Sequence, residues 1–571
     1  VFLGTFSRLL FVIANASEDD EGPKSHRTFG EQLRMAKYLM LGLAFFFLAT
    51  TGRAGEVRFE RVEGERHGIA AALQQWHQLE MERQGGPGKS HGWWPWGLRA
   101  FDFDRDGLLD FIISHHGTPR SLILRGQAGK DGELRFTDIT KSLGVDYRDL
   151  PAADDRPWIW DFDGDGFLDI AGFSDEASAT GSAWNREGKQ LVADKGRLFG
   201  ALSHPREVVD LNGDGYLDLD GGSQGKWLFD AEKKTFRHDP SSRFELPKGV
   251  TPVLLEPFQA HQKSNRFFRV EALTHDVVGY DTLGFDTRPI DLNGDGRNDV
   301  VLTGSGGYGA QYLGRYLLRQ EDGSLADCTT SHGLPENGVP IWIRDLTGDG
   351  RPEILIVANK AGEHAGGLFL NDGHGKFTRV EGPLTNFLER RGPYLIRAYQ
   401  ADFDNDGLLD LVLSNPRLGS MAIYHNEGAG KFTEVLKLSS CWDSNPIVLA
   451  DFNGDGRVDL AVGLRPQKDS PGDVHLFLNR SEGAGNYLAI SPRMSAPNPY
   501  AVGAVVEVFA AGDAAKKEAQ PLFVEKAHPD ATPVLVGLGA RTACDVRVIF
   551  PGGATVVREI VATNRSLTIS P

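Results

Sequence analysis

DFDRDGLLD, Asp102 to Asp110, is the stretch whose reading decides the fold. The same nine-residue pattern returns as DFDGDGFLD (161–169), DLNGDGYLD (210–218), DLNGDGRND (291–299), DLTGDGRPE (345–353), DFDNDGLLD (402–410) and DFNGDGRVD (451–459). Seven spaced copies make a repeat architecture, and that has to be settled before any single strand or helix is placed. Acidic or amide side chains recur at loop positions 1, 3, 5 and 9, and glycine is invariant at position 6. A hard cation such as calcium takes six to eight oxygens, so this spacing reads as a calcium loop. Glycine at position 6 lets the chain turn through a left-handed conformation.

The candidate ligands are the side chains at positions 1, 3, 5 and 9 and the backbone carbonyl at position 7. In loop one these are Asp102, Asp104, Asp106, Asp110 and the carbonyl of Leu108; in loop two, Asp161, Asp163, Asp165, Asp169 and Phe167. Loop three offers Asp210, Asn212, Asp214, Asp218 and Tyr216, and loop four Asp291, Asn293, Asp295, Asp299 and Arg297. Loop five has Asp345, Thr347, Asp349, Glu353 and Arg351; loop six has Asp402, Asp404, Asp406, Asp410 and Leu408. Loop seven closes the series with Asp451, Asn453, Asp455, Asp459 and Arg457. Loops one, two and six carry four carboxylates. Because affinity follows ligand charge, loop five, with Thr347 and the displaced geometry of Pro352-Glu353, is expected to be the weakest or an empty site. Transition metals favour imidazole or thiolate, and neither stands at a loop position.

An EF-hand is excluded at the second half of the motif. It needs a glutamate at position 12 and flanking helices. Here the closing acid is at position 9, and apolar β-type residues follow at once, as in Phe111-Ile112-Ile113 and Leu411-Val412-Leu413. The loop therefore joins two strands. Between loops the chain gives two further strands and a Gly-rich turn, clearest in LFLNDGHGKFTRV (368–380) and AIYHNEGAGKFTEV (422–435). Four short strands per unit predict a seven-bladed β-propeller over residues 92–484. The last unit lacks a fourth strand, while FERVEG (59–64) nearly duplicates FTRVEG (377–382). Phe59–Val62 is accordingly expected to pair with the strand at 474–479, which would cover an open edge.

The rest of the chain divides around this body. Residues 1–34 contain no methionine and are read as a non-translated or disordered extension; MAKYLMLGLAFFFLATTGRA (35–54) has the layout of a secretory signal peptide. Its apolar run is too short to span a bilayer. Residues 55–91 hold the closing strand and an amphipathic helix marked by Leu73, Trp76 and Leu79. The gap between Asp210 and Asp291 is stretched by an insertion around 243–281, where a plain loop or extra hairpin and a binding loop are the competing readings. Residues 485–571 have no acidic loop. NYLAIS, GAVVEVFAA, PLFVEK, CDVRVIF and VVREIV predict a small β-sandwich or barrel.

With its net charge of −17, the chain is a poor partner for nucleic acid. Seven calcium ions would carry about fourteen positive charges and nearly neutralise it. Cys328, Cys441 and Cys544 match neither a zinc spacing nor a disulfide framework. Catalytic signals are scarce. GGSQG (221–225) has the form of a nucleophile elbow, but KWLFD after it reads as strand where a helix is required. His115, His116, His261 and His275 are scattered. Trp93, Trp94, Trp96, Trp158, Trp160 and Trp342 crowd the entry strands, where packing between blades and sugar stacking are the competing readings.

The loops with their flanking strands resemble FG-GAP/VCBS repeats, the family that includes the propellers of integrin α-subunits. NPYAVGAVVEV (498–508) and VGLG…VRVIFPGG (536–553) resemble the ASPIC/UnbV domain, a combination similar to cartilage acidic protein. The resemblance implies an exported calcium-binding propeller, secreted, periplasmic or at the cell surface, holding a protein or glycan ligand without catalysis. The alternatives are a calcium-dependent carbohydrate-active enzyme of the polysaccharide-lyase type and a structural or assembly factor of the envelope.

Overall fold

In the computed structural model the described residues are 57–62, 67–83, 95–115, 121–129, 133–151, 157–172, 181–194, 207–221, 225–239, 283–285, 290–304, 313–358, 364–389, 396–415, 420–439, 446–464, 473–516 and 518–571. The expected extension and signal peptide, the insertion at 243–281, Cys441, Ser223, His116, His261, His275, Trp93 and Trp94 lie outside them. The described chain is all-β, and its repeats form a β-propeller.

Seven four-stranded antiparallel sheets carry the acidic loops, each loop joining the first strand to the second. The first sheet runs Pro95–Phe101, Asp110–His115, Ser121–Ala128, Leu134–Asp138, and the sixth Arg397–Ala401, Asp410–Asn415, Ser420–Gly428, Lys431–Ser439. The seventh takes three strands from Ile447–Ala450, Asp459–Leu464 and Asp473–Asn479. Its fourth is Phe59–Arg61, with Phe59 opposite Asn479 and Arg61 opposite Phe477, the pairing expected from the duplicated FERVEG. Second strands are buried on both faces, as in EILIVA (353–358), because each sheet is sandwiched between two others.

Neighbouring sheets share cores. Phe101, Phe103, Trp160, Phe162, Leu219 and Trp227 join sheets one to three in one cluster. Leu98 and Phe111 of the first sheet pack with Phe452, Ala461 and Leu476 of the seventh, so the two ends of the repeat meet; the rings of Phe111 and Phe452 lie 5.1 Å apart. Trp160 and Trp342 are fully buried in these cores, which settles them as packing residues. The helix Ile69–Arg83 lays Ile69, Ala72, Leu73 and Trp76 onto the same seam. Leu79, expected on that face, is 37% exposed, because it sits at the margin of the stripe formed by the other four.

A second device ties sheet to sheet. The side-chain amides of Asn185, Asn371, Asn426 and Asn479, each near the end of a third strand, donate to a carbonyl of the preceding loop. The acceptors are Phe103, Leu292, Leu346 and Phe403, at 2.7–2.9 Å. All four acceptors stand at loop position 2. The same amides donate to position 8 of their own loop. Each asparagine thus spends both N–H groups on loop carbonyls, one in the preceding loop and one in its own.

After the seventh sheet come a three-stranded sheet, ordered Val534–Gly539, Asn486–Pro492, Arg565–Ile569, and a four-stranded sheet, ordered Phe523–Lys526, Val505–Ala510, Ala543–Ile549, Thr555–Ala562. Leu488, Ile490, Val536 and Ile569 of the first pack against Val506, Val508, Val546 and Val548 of the second. Val534–Gly539 and Arg565–Ile569 were not among the expected strands. Lys226–Asp230 is a strand, as the argument against a nucleophile elbow required. Cys328 and Cys544 are buried free thiols. Among the described residues no helix is long and apolar enough to cross a membrane.

Candidate metal centres

Every loop is wound about its first carboxylate. The backbone N–H of the position-6 glycine donates to Oδ2 of position 1 in all seven: Gly107 to Asp102, Gly166 to Asp161, Gly215 to Asp210, Gly296 to Asp291, Gly350 to Asp345, Gly407 to Asp402 and Gly456 to Asp451. These glycines have φ between 80° and 97°, the conformation expected at this turn.

Position 9 carries a role that a ligand list alone misses. In the six aspartate loops its Oδ2 accepts the N–H of position 2, and its Oδ1 accepts an N–H of the third strand. Asp110 bridges Phe103 and Gly126, and Asp459 bridges Phe452 and Asn479. The acid therefore fastens the loop to its own sheet while its remaining lone pairs stay free for a cation. Glu353 departs from this. Its Oε2 takes the N–H groups of Leu346 and Thr347, and Oε1 is buried without a hydrogen-bond partner. The extra methylene shifts the carboxylate off the third strand.

Ligand-grade oxygens converge within 4.8 Å in loops one, two and six, the three with four carboxylates. The groups are Asp102, Asp104, Asp110; Asp161, Asp163, Asp169; and Asp402, Asp404, Asp406. Burial pushes Asp110, Asp161 and Asp459 up to about 7, and Asp169 and Asp402 well above the ordinary carboxylate range. Neighbouring carboxylates in each loop push the same way. Oδ1 of Asp163, whose side chain is 4% exposed, has no hydrogen-bond partner. A buried, unpartnered carboxylate oxygen among other carboxylates is the chemistry a hard divalent cation balances.

Cationic side chains from outside the motif reach several loops. Arg125 pairs with Asp104; Lys234 and Arg186 reach Asp163 Oδ2 at 2.8 and 3.2 Å. The position-7 arginines fold back onto position 5: Arg297 on Asp295, Arg351 on Asp349, Arg457 on Asp455. In loop six His425 enters from the third strand, its Nδ1 3.0 Å from Asp410 Oδ1 and Nε2 3.8 Å from Asp404 Oδ2. Hydrogen bonding to Asp410 raises it to about 9. No imidazole stands at a loop position, but one reaches loop six from outside it, where Asp404, Asp410 and His425 bring ligand atoms within 4.8 Å of one another. The reason is tertiary: His425 is remote from the nine-residue window. A signal existed, since Arg125 and His425 stand at the same offset from position 9 of their loops.

With this geometry in view, the class is a repeat β-propeller with acidic loops. Residues 291–356, 345–413 and 402–462, which hold loops four to seven, match the model of the FG-GAP-like repeat. No curated protein matches the chain. Among solved structures it is similar to an Agrocybe aegerita lectin that recognises non-reducing terminal N-acetylglucosamine, at 19% identity and TM-score 0.32, over 62% of this chain and 82% of that one. The extracellular domain of a one-component system from B. thetaiotaomicron matches at 10% identity and TM-score 0.31, over 90% and 59%. The periplasmic gluconolactonase of Pseudomonas aeruginosa matches at 14% identity and TM-score 0.29, over 60% and 85%. At such TM-scores none of these proteins lends its function to this chain.

Proposed function

We propose that the chain is an exported, calcium-braced, seven-bladed propeller that works as a non-catalytic binding module for a protein or glycan ligand. The observation that carries the calcium reading is the unpartnered, buried Oδ1 of Asp163 within the Asp161–Asp163–Asp169 group. Calcium would be held by the side-chain oxygens at positions 1, 3, 5 and 9 and the carbonyl at 7. It would supply the positive charge that these loops gather oxygens around. The seventh sheet, completed by Phe59–Arg61 and packed on the first, supports the count of seven blades. The tail at 485–571 is read as an ASPIC/UnbV-like domain.

The non-catalytic reading rests on where the acids go. Among the described residues, the groups with metal-ligand geometry all belong to the loops or to His425 beside one of them. Two measurements test the proposal. Metal analysis of the purified chain should return calcium in several-fold molar excess over protein, and a chain free of calcium sinks the reading. Glycan-array and pull-down screens, run with and without EGTA, should show calcium-dependent retention without turnover. Release of cleaved product would replace the binding module with the carbohydrate-active enzyme.

A further inference from the structure

The C-terminal sandwich docks on the acidic loops themselves. The N–H of Gly485 donates to Asp404 O at 2.7 Å, and that of Gly539 donates to Asn405 O at 2.7 Å. Tyr500 Oη donates to Gly166 O at 2.6 Å within a buried contact. Each of these acceptors is a backbone carbonyl inside a loop, at position 3, 4 or 6. Asn405 in turn donates through its side chain to Gly456 O of loop seven at 3.0 Å.

The approach is close enough to restrict side chains on both partners. A Cβ on Gly537 would collide with the Asp402 carboxylate, one on Gly485 with Asn405 O, and one on Gly456 with the Tyr487 ring. Tyr500 and Val502 belong to the same core cluster as Trp160 and Phe162. Under this cover Asp404 and Asn405 are buried, an unusual fate for a charged loop. Loops four and five differ: their position-6 glycines, Gly296 and Gly350, would meet nothing within 4 Å on gaining a Cβ.

A bound ion pins alternate residues of a loop and so fixes the carbonyls between them. The tail reads those same carbonyls. Two binding events that share one backbone conformation are coupled, and the coupling is reciprocal. We propose that the C-terminal domain is an intramolecular cap, and that its docking and the calcium occupancy of loops two, six and seven stabilise each other. This rests on the calcium reading above, and the test keeps the two apart.

The experiment uses the full chain, with calcium counted by metal analysis and its affinity measured by titration. Hydrogen exchange is followed over 485–502 and 534–541 in calcium and in EGTA. Chelation should raise exchange in these two segments by about 5- to 150-fold, the range of typical site-to-site couplings. The strand Ala543–Ile549, inside the tail's own core, should stay protected. Gly537→Val should weaken calcium binding at one or more sites by a similar factor and loosen the same segments without chelator. Tyr500→Phe, which removes only the hydroxyl that reaches Gly166, should do so more mildly at loop two and serves if Gly537→Val does not fold. Calcium bound in the expected excess but exchange in 485–502 and 534–541 unchanged by EGTA overturns the cap and leaves the calcium reading standing. Calcium affinity unaltered in the variant that folds does the same. A chain that binds no calcium overturns both.

Discussion

Loop six carries four aspartates, receives His425 from its third strand and lies beneath the C-terminal sandwich. Loop five has Thr347 at position 3 and Glu353 at position 9, turns Arg351 onto Asp349 and stands open. Their backbones are nearly interchangeable: Gly350 and Gly407 both donate to the position-1 carboxylate. The nine-residue pattern therefore fixes the turn, the side chains at positions 3, 7 and 9 set the electrostatics together with groups such as His425, and the tail sets the cover. The comparison also bears on the expectation that loop five is weakest or empty. Loop five has three carboxylates against loop six's four, yet Glu353 Oε1 is buried without a hydrogen-bond partner, a cost that a cation would relieve.

The largest expected effect is on the whole set of loops. Ions that bind the native chain and not the unfolded one stabilise it by about 2.7 kcal/mol per site at a hundredfold excess over Kd. With several sites, EGTA should lower Tm by more than about 10 °C, measured by calorimetry. An unchanged Tm would mean that loops five and six are alike in the one respect that matters, holding no ion.

Next in size is the asparagine tie between sheets. Asn426→Ala strands the buried carbonyl of Leu346, the link from sheet six to loop five, and should cost about 1–3 kcal/mol in urea denaturation. Calcium count should be unchanged, which separates a sheet tie from a metal site. Loss of an ion in this variant would show that the tie and loop five are one unit.

Much of this was legible in advance. The seven loops, their left-handed glycines and the pairing of Phe59–Arg61 all follow from local pattern or from duplicated sequence. His425, Arg125 and Lys234 were not, because a nine-residue window holds no record of what the third strand or the next sheet brings to it. The docking of Tyr500 and Gly539 joins segments hundreds of residues or more than a hundred residues apart, and only the folded chain shows it. The strand Val534–Gly539 lies outside the runs that local pattern marks as strand, since two glycines interrupt it. They are there because the strand runs against Asp402 and Asp406, where a side chain would not fit. The ninth-position clamp was hidden for another reason: a carboxylate that holds N–H groups and one that holds an ion are the same letter.

A third prediction sharpens the contrast between loops. Asp404→Asn and Glu353→Gln each remove one carboxylate charge from a ligand set, and each should lower the calcium count by up to one ion. Because loop six has more charge and is covered, its ion should be among the tightest in a titration and loop five's among the last to bind. Glu353→Gln should therefore erase a weak step and Asp404→Asn a strong one. If Glu353→Gln leaves every step in place, loop five is the empty site.

The smallest effect isolates the arginine at position 7. The Arg351 guanidinium contacts the Asp349 carboxylate and holds it below the usual carboxylate range, so an ion entering loop five competes with a charge already present. Arg351→Ala removes that competitor but keeps the position-7 carbonyl. The pair is largely solvent-exposed, so screening limits the gain, and loop five's calcium affinity should rise only about two- to fivefold. The rise should shrink with added salt, since surface charges more than about 8–10 Å apart are screened at physiological ionic strength and closer exposed pairs are weakened. Loop six has Leu408 at this position, and no equivalent change is available there. A fall in affinity in Arg351→Ala would mean that the guanidinium holds Asp349 in place for the ion, making position 7 a support of the site and not a rival to its metal.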